Sequence, residues 1–150
     1  MYHYTDCGLD NVYLANGFTE VETPYGKGIS IHDTKGLHRA IGLWLIDAPK
    51  DLNGAEFRFL RMEMELTQRR LAEMLGADEQ AVRRWEKDRA KSIQGPADRL
   101  MRLIYTEYVG GDGNFRKIID RLVELDEIED QRITMKETGK GWQRSDKIAA

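Results

Sequence analysis

Between Leu66 and Glu86 the apolar positions fall into two short helical stripes separated by a glycine. Leu71, Ala72 and Leu75 recur at the spacing of one helix face, and Val82 and Trp85 follow three residues apart beyond Gly76. Thr67 is suited to cap the first helix by accepting a hydrogen bond from a free backbone N–H. Asp78 is suited to cap the second, where its charge also favours the positive end of the helix dipole. Gly76 can take the left-handed conformation that ends a helix and turns the chain within about three residues, and the small Ala72 lets a crossing helix come close. The polar side of the second helix carries Glu79, Gln80, Arg83 and Arg84. Two helices of this length at a tight glycine turn have the form of a helix-turn-helix, whose second helix enters the DNA major groove.

The pattern on either side predicts three regions. Residues 1–50 hold strand-like pieces at 11–18 and 28–31, with turn chemistry at Asn16-Gly17, Pro24-Tyr25-Gly26 and Gly28. A helix follows from Asp33, with Leu37, Ala40, Ile41, Trp44, Leu45 and Ala48 at three- and four-residue spacing and Pro49 marking its end. Residues 49–54 read as a linker into a helical unit, residues 54–110. Its first helix carries Phe57, Leu60, Arg61 and Met64, and its last begins at Pro96 with Leu100, Leu103, Ile104 and Tyr108 on one face. After Gly110-Gly111-Asp112-Gly113, residues 112–150 read as an amphipathic helix (Phe115, Ile118, Ile119, Leu122, Val123) and a loosely held polar tail. The expected class is α+β, with a small β-containing N-terminal domain ahead of the helix-turn-helix domain and a C-terminal helix.

Gln80 and Arg84 lie four apart on one stripe of the second helix; an amide suits the adenine edge and a guanidinium the guanine edge. They are the expected base readers, with Arg83 and Glu79 beside them. Thr67, Gln68, Arg69, Lys87, Arg89 and Lys91 are the expected phosphate contacts. The chain of 150 residues has a net charge of −3, yet residues 54–102 carry 11 basic against 9 acidic side chains while both flanks are net acidic. Affinity is therefore expected from a few placed contacts with double-stranded DNA, with moderate salt dependence.

The residues Leu66-Thr67-Gln68, Leu71-Ala72, Leu75-Gly76, Val82 and Trp85-Glu86 resemble the Xre/Cro-type helix-turn-helix, a likeness that covers about residues 54–108. It implies a five-helix, lambda-repressor-like domain and a homodimeric regulator reading a palindromic operator. It also implies that Gln68 meets a phosphate and that Glu86 pairs with Arg61. Glu79 departs from that family, in which a neutral or basic residue commonly faces DNA. The layout is also similar to MqsA-type antitoxins, whose N-terminal domain binds zinc through two Cys-x2-Cys pairs and engages a toxin. Gln80 and Arg84 match that family's base-reading pair, whereas Cys7 stands alone where four cysteines are expected. The face of residues 115–123 or the Trp44 helix is the expected dimer surface.

His3, Cys7, His32 and His38 are the only residues that could form a zinc set of thiolate and imidazole, and their spacing matches no usual zinc motif. No metal or cofactor is expected. Nor is an enzyme: there is no phosphate-binding glycine loop and no hydrolase nucleophile motif, and Glu124, Asp126, Glu127, Glu129 and Asp130 read as a solvated helix end. A single cysteine forms no intrachain disulfide, and no segment has a signal-peptide pattern or the about 20 apolar residues of a membrane span. A cytoplasmic, dimeric transcriptional repressor is the leading expectation. The others are an antitoxin that binds a toxin or other protein through its N-terminal domain while repressing its own operon, and an interaction module without DNA binding, which Glu79 and the net negative charge permit.

Overall fold

Asp33, Asn53, Thr67 and Pro96 each stand at the start of a helix. The Asp33 carboxylate accepts from the Gly36 amide at 3.1 Å, and the Thr67 hydroxyl from the Arg70 amide at 3.0 Å. Asn53 and Glu56 cap each other reciprocally, each side chain accepting from the other's backbone N–H at 2.8 and 2.9 Å. Pro96 occupies the first turn, where its missing N–H is no loss. In the computed structural model, which describes residues 1–93, 95–111, 117, 119, 120 and 133–144, these starts give four of the five helices that lie wholly within the described residues. The helices are α1 (Thr34–Asp47), α2 (Gly54–Glu63), α3 (Gln68–Leu75), α4 (Glu79–Lys87) and α5 (Pro96–Gly110).

Among the described residues, three two-stranded antiparallel sheets complete an α+β architecture. β1 (Tyr2–His3) pairs with β2 (Tyr13–Leu14), and β3 (Phe18–Thr23) with β4 (Gly26–Ile31) around the Pro24-Tyr25 turn. The strand expected over 11–18 is broken at Asn16-Gly17, where Gly17 has φ 81° and lets the chain bend; Gly28, expected in a turn, lies inside β4. The expected loose tail contains a hairpin, β5 (Met135–Thr138) against β6 (Gly141–Arg144), closed over Gly139-Lys140 with Gly141 at φ 101°. Of the expected C-terminal helix, Phe115, Ile118, Leu122 and Val123 lie outside the described residues, as do the acids from Glu124 to Asp130. Ile119 is buried in the core, and Asp120 pairs with Arg70 at 3.0 Å.

Phe57, Leu60, Leu71, Val82 and Met101 have no exposed surface and centre one hydrophobic cluster. Leu9 from the N-terminal segment and Leu45 from α1 belong to that same cluster. Residues 49–54 thus turn within a shared core, and α1 packs on α2 and α5 as a member of the helical unit. Two expected faces hold only in part: Ile41, Leu45 and Ala48 of α1 and Leu100 and Ile104 of α5 lie in or against the core, but other members do not. On α5 the buried apolar residues are Met101, Ile104 and Tyr105, while Leu103 is 66% exposed and Tyr108 is also exposed. That helix is apolar on several sides, so 101-104-105 competes with 100-103-104 at equal spacing, and contact with α1 decides. On α1, Leu45 and Gly42 face inward while Ala40 and Trp44 face out. Among the described residues no helix is long and apolar enough to cross a membrane.

Asp98, fully buried on α5, ties that helix to the segment before α2. Its carboxylate accepts from the Leu52 amide at 2.8 Å and from Arg102 Nε at 3.1 Å, and pairs with Arg99. Arg102 also donates to the carbonyls of Ile46 and Ala48 at 3.0 Å and to that of Lys50, closing the end of α1. Burial alone would raise the Asp98 carboxyl; the Leu52 amide and the two guanidiniums outweigh it and hold the group below its ordinary 3.8. A carboxylate depressed on folding stabilises the protein above its unfolded value, and that contribution is lost as pH falls through the folded value. Asp98→Asn is expected to cost about 2–3 kcal/mol at pH 7. Urea unfolding at pH 7, 5 and 3 checks this: the gap to the wild type narrows as pH falls below about 4, and a gap independent of pH would contradict it.

Candidate nucleic-acid interface

The turn between α3 and α4 is specified by its own residues. Gly76 adopts φ 65°, ψ 30°, and the Gly76 and Ala77 amides close the end of α3 on the carbonyls of Glu73 and Ala72 at 3.3 and 2.9 Å. Asp78 occupies the N-cap position of α4, but its carboxylate makes no cap hydrogen bond, contrary to expectation. Its backbone carbonyl accepts from the Ala81 amide at 3.0 Å, so the helix starts on main-chain bonding alone.

Three contacts lock the inner side of α4. Val82 is completely buried, and the Trp85 ring meets Phe57 edge-on with centroids 5.7 Å apart. Arg61 of α2 grips Glu86 with two parallel bonds, Nε to Oε2 at 2.7 Å and Nη2 to Oε1 at 2.8 Å, and both residues are buried. The third Arg61 nitrogen donates to the Leu66 carbonyl at 2.8 Å, so one side chain fixes α2, the approach to α3 and α4 together. The pair implied for Arg61 and Glu86 is therefore present.

With that side locked, Gln80 and Arg84 project outward, exposed and without a hydrogen bond or ion pair to any described residue. Arg83 is exposed too, but it is tied to Glu79 at 2.9 Å across one turn. Glu79 is thereby engaged by a cation on its own helix, which separates it and Arg83 from the free pair.

The candidate phosphate contacts differ in their surroundings. Thr67 serves as the α3 cap, and Arg69 is exposed beside Glu73 at 3.4 Å. Gln68 donates its side-chain amide to Glu86 at 3.1 Å, so the residue is positioned by the buried ion pair. Lys87 is exposed and unpaired among the described residues; Arg89 donates to the Gly8 carbonyl. Lys91 sits with Arg84 and Asp88 around a second, smaller concavity of about 240 Å³.

The segment after α4 is stitched to the start of α2. The Gly54 and Ala55 amides donate to the Lys91 and Arg89 carbonyls at 3.2 and 3.1 Å, and the Ile93 amide to the Leu52 carbonyl at 2.7 Å. These bonds use the otherwise free first donors of α2 and hold the backbone that carries Arg89 and Lys91.

Gln68, Arg83, Lys87 and Arg89 line one groove together with Arg58 of α2. Arg58 was not singled out from the sequence. It is exposed, has no partner among the described residues, and its only sequence signal is its place one turn before Arg61.

The four residues of the zinc reading do not converge. His38 sits between the Tyr4 hydroxyl at 2.8 Å and Glu63 at 2.8 Å; His32 bonds Thr19 at 2.9 Å, and His3 bonds the Asp10 carbonyl at 2.7 Å. Cys7 is half-buried, and burial pushes its thiol up. Among the described residues no three His, Cys, Asp or Glu side chains gather as a metal site would require. No family model, no curated protein and no solved structure gives a match to this chain.

Proposed function

We propose that the chain is a sequence-specific DNA-binding regulator that presents α4 to the major groove, acting as a homodimer on a palindromic operator. The observation that carries this reading is the pair Gln80 and Arg84. Both are exposed and unpaired, one turn apart, on a helix whose other side is fixed by Val82 and by the Arg61–Glu86 bonds. Long polar side chains held ready on a rigid helix suit bidentate recognition of adenine and guanine edges. The cations of the adjoining groove and Lys91 supply phosphate contacts on either side. The resemblance to the Xre/Cro-type motif supports the same reading. Twofold symmetry in the protein would match half-sites about 34–36 Å apart.

The β3–β4 hairpin supports a second role beside this one. Most of β3 and half of β4 are exposed, and Tyr25 at the tip is fully so. It offers a surface for a protein partner, as an antitoxin that also represses its operon requires.

A mobility shift on the duplex upstream of the gene, with scrambled duplex as competitor, tests the base readers. Each of Gln80→Ala and Arg84→Ala is expected to weaken specific binding by about 1–3 kcal/mol, or roughly 5- to 150-fold, with circular dichroism and melting temperature unchanged. Wild-type binding by either variant would show that α4 does not read the bases.

A further inference from the structure

The groove beside α4 has the makings of a ligand site as well as a phosphate rim. Its volume is about 650 Å³, within the range of small-molecule sites. One wall is apolar, formed by Ala55, Phe59 and the exposed Met62 of α2. Among the described residues the lining also includes four cations, Arg58, Arg83, Lys87 and Arg89, and three carboxylates, Asp6, Glu63 and Glu86. The carboxylates are mostly spent within the fold: Arg61 holds Glu86, and His38 bonds Glu63. Asp6 alone remains unpaired among the described residues. Of the cations, Arg83 is tied to Glu79, and the other three keep unused donors. Arg58 and Lys87 have no partner there, and Arg89 uses one of its donors on the Gly8 carbonyl.

Cations with unused donors beside an apolar wall select a molecule that is anionic at one end and apolar at the other. We infer that this groove binds a small amphiphilic monoanion, a carboxylate, sulfonate or phosphate diester carried on an aromatic or aliphatic body. The anion bridges Arg58 and Lys87, and the body lies against Phe59 and Met62. Asp6, which also lines the groove, disfavours a second negative charge. Such a ligand lies among the N-terminal segment, α2 and α4, and it occupies Lys87, one of the proposed phosphate contacts. Competition between ligand and duplex follows from that overlap; it rests on the DNA-binding reading, whereas ligand binding itself does not.

The test uses the full chain and 8-anilinonaphthalene-1-sulfonate, followed by its fluorescence in a titration at pH 7. One saturable site is expected, and Arg58→Gln with Lys87→Gln is expected to weaken it by about tenfold or more, with near-ultraviolet dichroism unchanged. The uncharged analogue N-phenyl-1-naphthylamine is expected to bind correspondingly worse. The inference is overturned if the double variant binds the sulfonate as the wild type does, if the uncharged analogue binds equally well, or if no saturable site is found. No duplex is present in this assay, so its failure leaves the DNA-binding reading standing, and failure of the mobility shift leaves this site standing.

Discussion

Replacing Arg61 by alanine is expected to lower the unfolding free energy by about 3–5 kcal/mol, the usual cost of stranding one member of a buried ion pair. The guanidinium makes two bonds to Glu86 and one to the Leu66 carbonyl, all between 2.7 and 2.8 Å, and little of either side chain reaches water. Without it the Glu86 carboxylate keeps only the Gln68 amide, and the Leu66 carbonyl loses its donor. Removing both charges by an apolar pair, Arg61→Met with Glu86→Leu, is expected to recover most of the loss, since a buried pair contributes less against well-packed apolar side chains than against its own broken half. Urea unfolding of the wild type, both single variants and the double variant closes the cycle. A loss below about 1 kcal/mol for Arg61→Ala, the range of exposed pairs, would mean that the pair is solvated and does not fix α4.

The second large effect is expected at Gly54, the first residue of α2. A Cβ built there lies 2.0 Å from the Trp85 carbonyl oxygen and 2.7 Å from that of Asp88. Both are backbone atoms at the end of α4, so no side chain can swing aside; either α2 or α4 must move. Alanine is intrinsically better than glycine in a helix by about 1 kcal/mol, and the overlap is expected to reverse that sign, with a net cost of about 3 kcal/mol. For a chain of this size that corresponds to a fall of about 6–12 °C in melting temperature. Gly110→Ala is the control, because nothing lies within 4 Å of its built Cβ on the last turn of α5. A Gly54→Ala protein as stable as the Gly110→Ala protein would contradict the close approach of α2 and α4. Since Gly54 also donates to the Lys91 carbonyl, the same variant disturbs the backbone under the candidate phosphate contacts.

What was legible in the sequence was what short-range chemistry decides. The Thr67 cap, the left-handed Gly76 and the inward Val82 each depend on neighbours within a turn or two, and each is where the pattern implies. Gln80 and Arg84 followed from them, since fixing the inner side of α4 fixes the outer. Long-range choices were not legible. The buried face of α5 is set by packing on α1, and the Asp98–Arg102 junction links residues some fifty positions apart. Arg58 gained significance only when α2 and α4 came to flank one groove. The hairpin at 135–144 had a readable turn in Thr138-Gly139-Lys140-Gly141, overshadowed by the polar composition around it.

The central claim is that α4 reads DNA sequence, and selection from a pool of randomised duplexes tests it most directly. Full-length protein is incubated with the pool at moderate salt, and bound duplexes are recovered, amplified and sequenced over several rounds. The predicted result is enrichment of a twofold-symmetric motif whose half-sites lie about one helical turn apart, 10–10.5 base pairs. Arg84→Ala carried through the same rounds loses the preference at a guanine in each half-site. Recovery of duplexes with no sequence in common, even at low salt, would contradict the account.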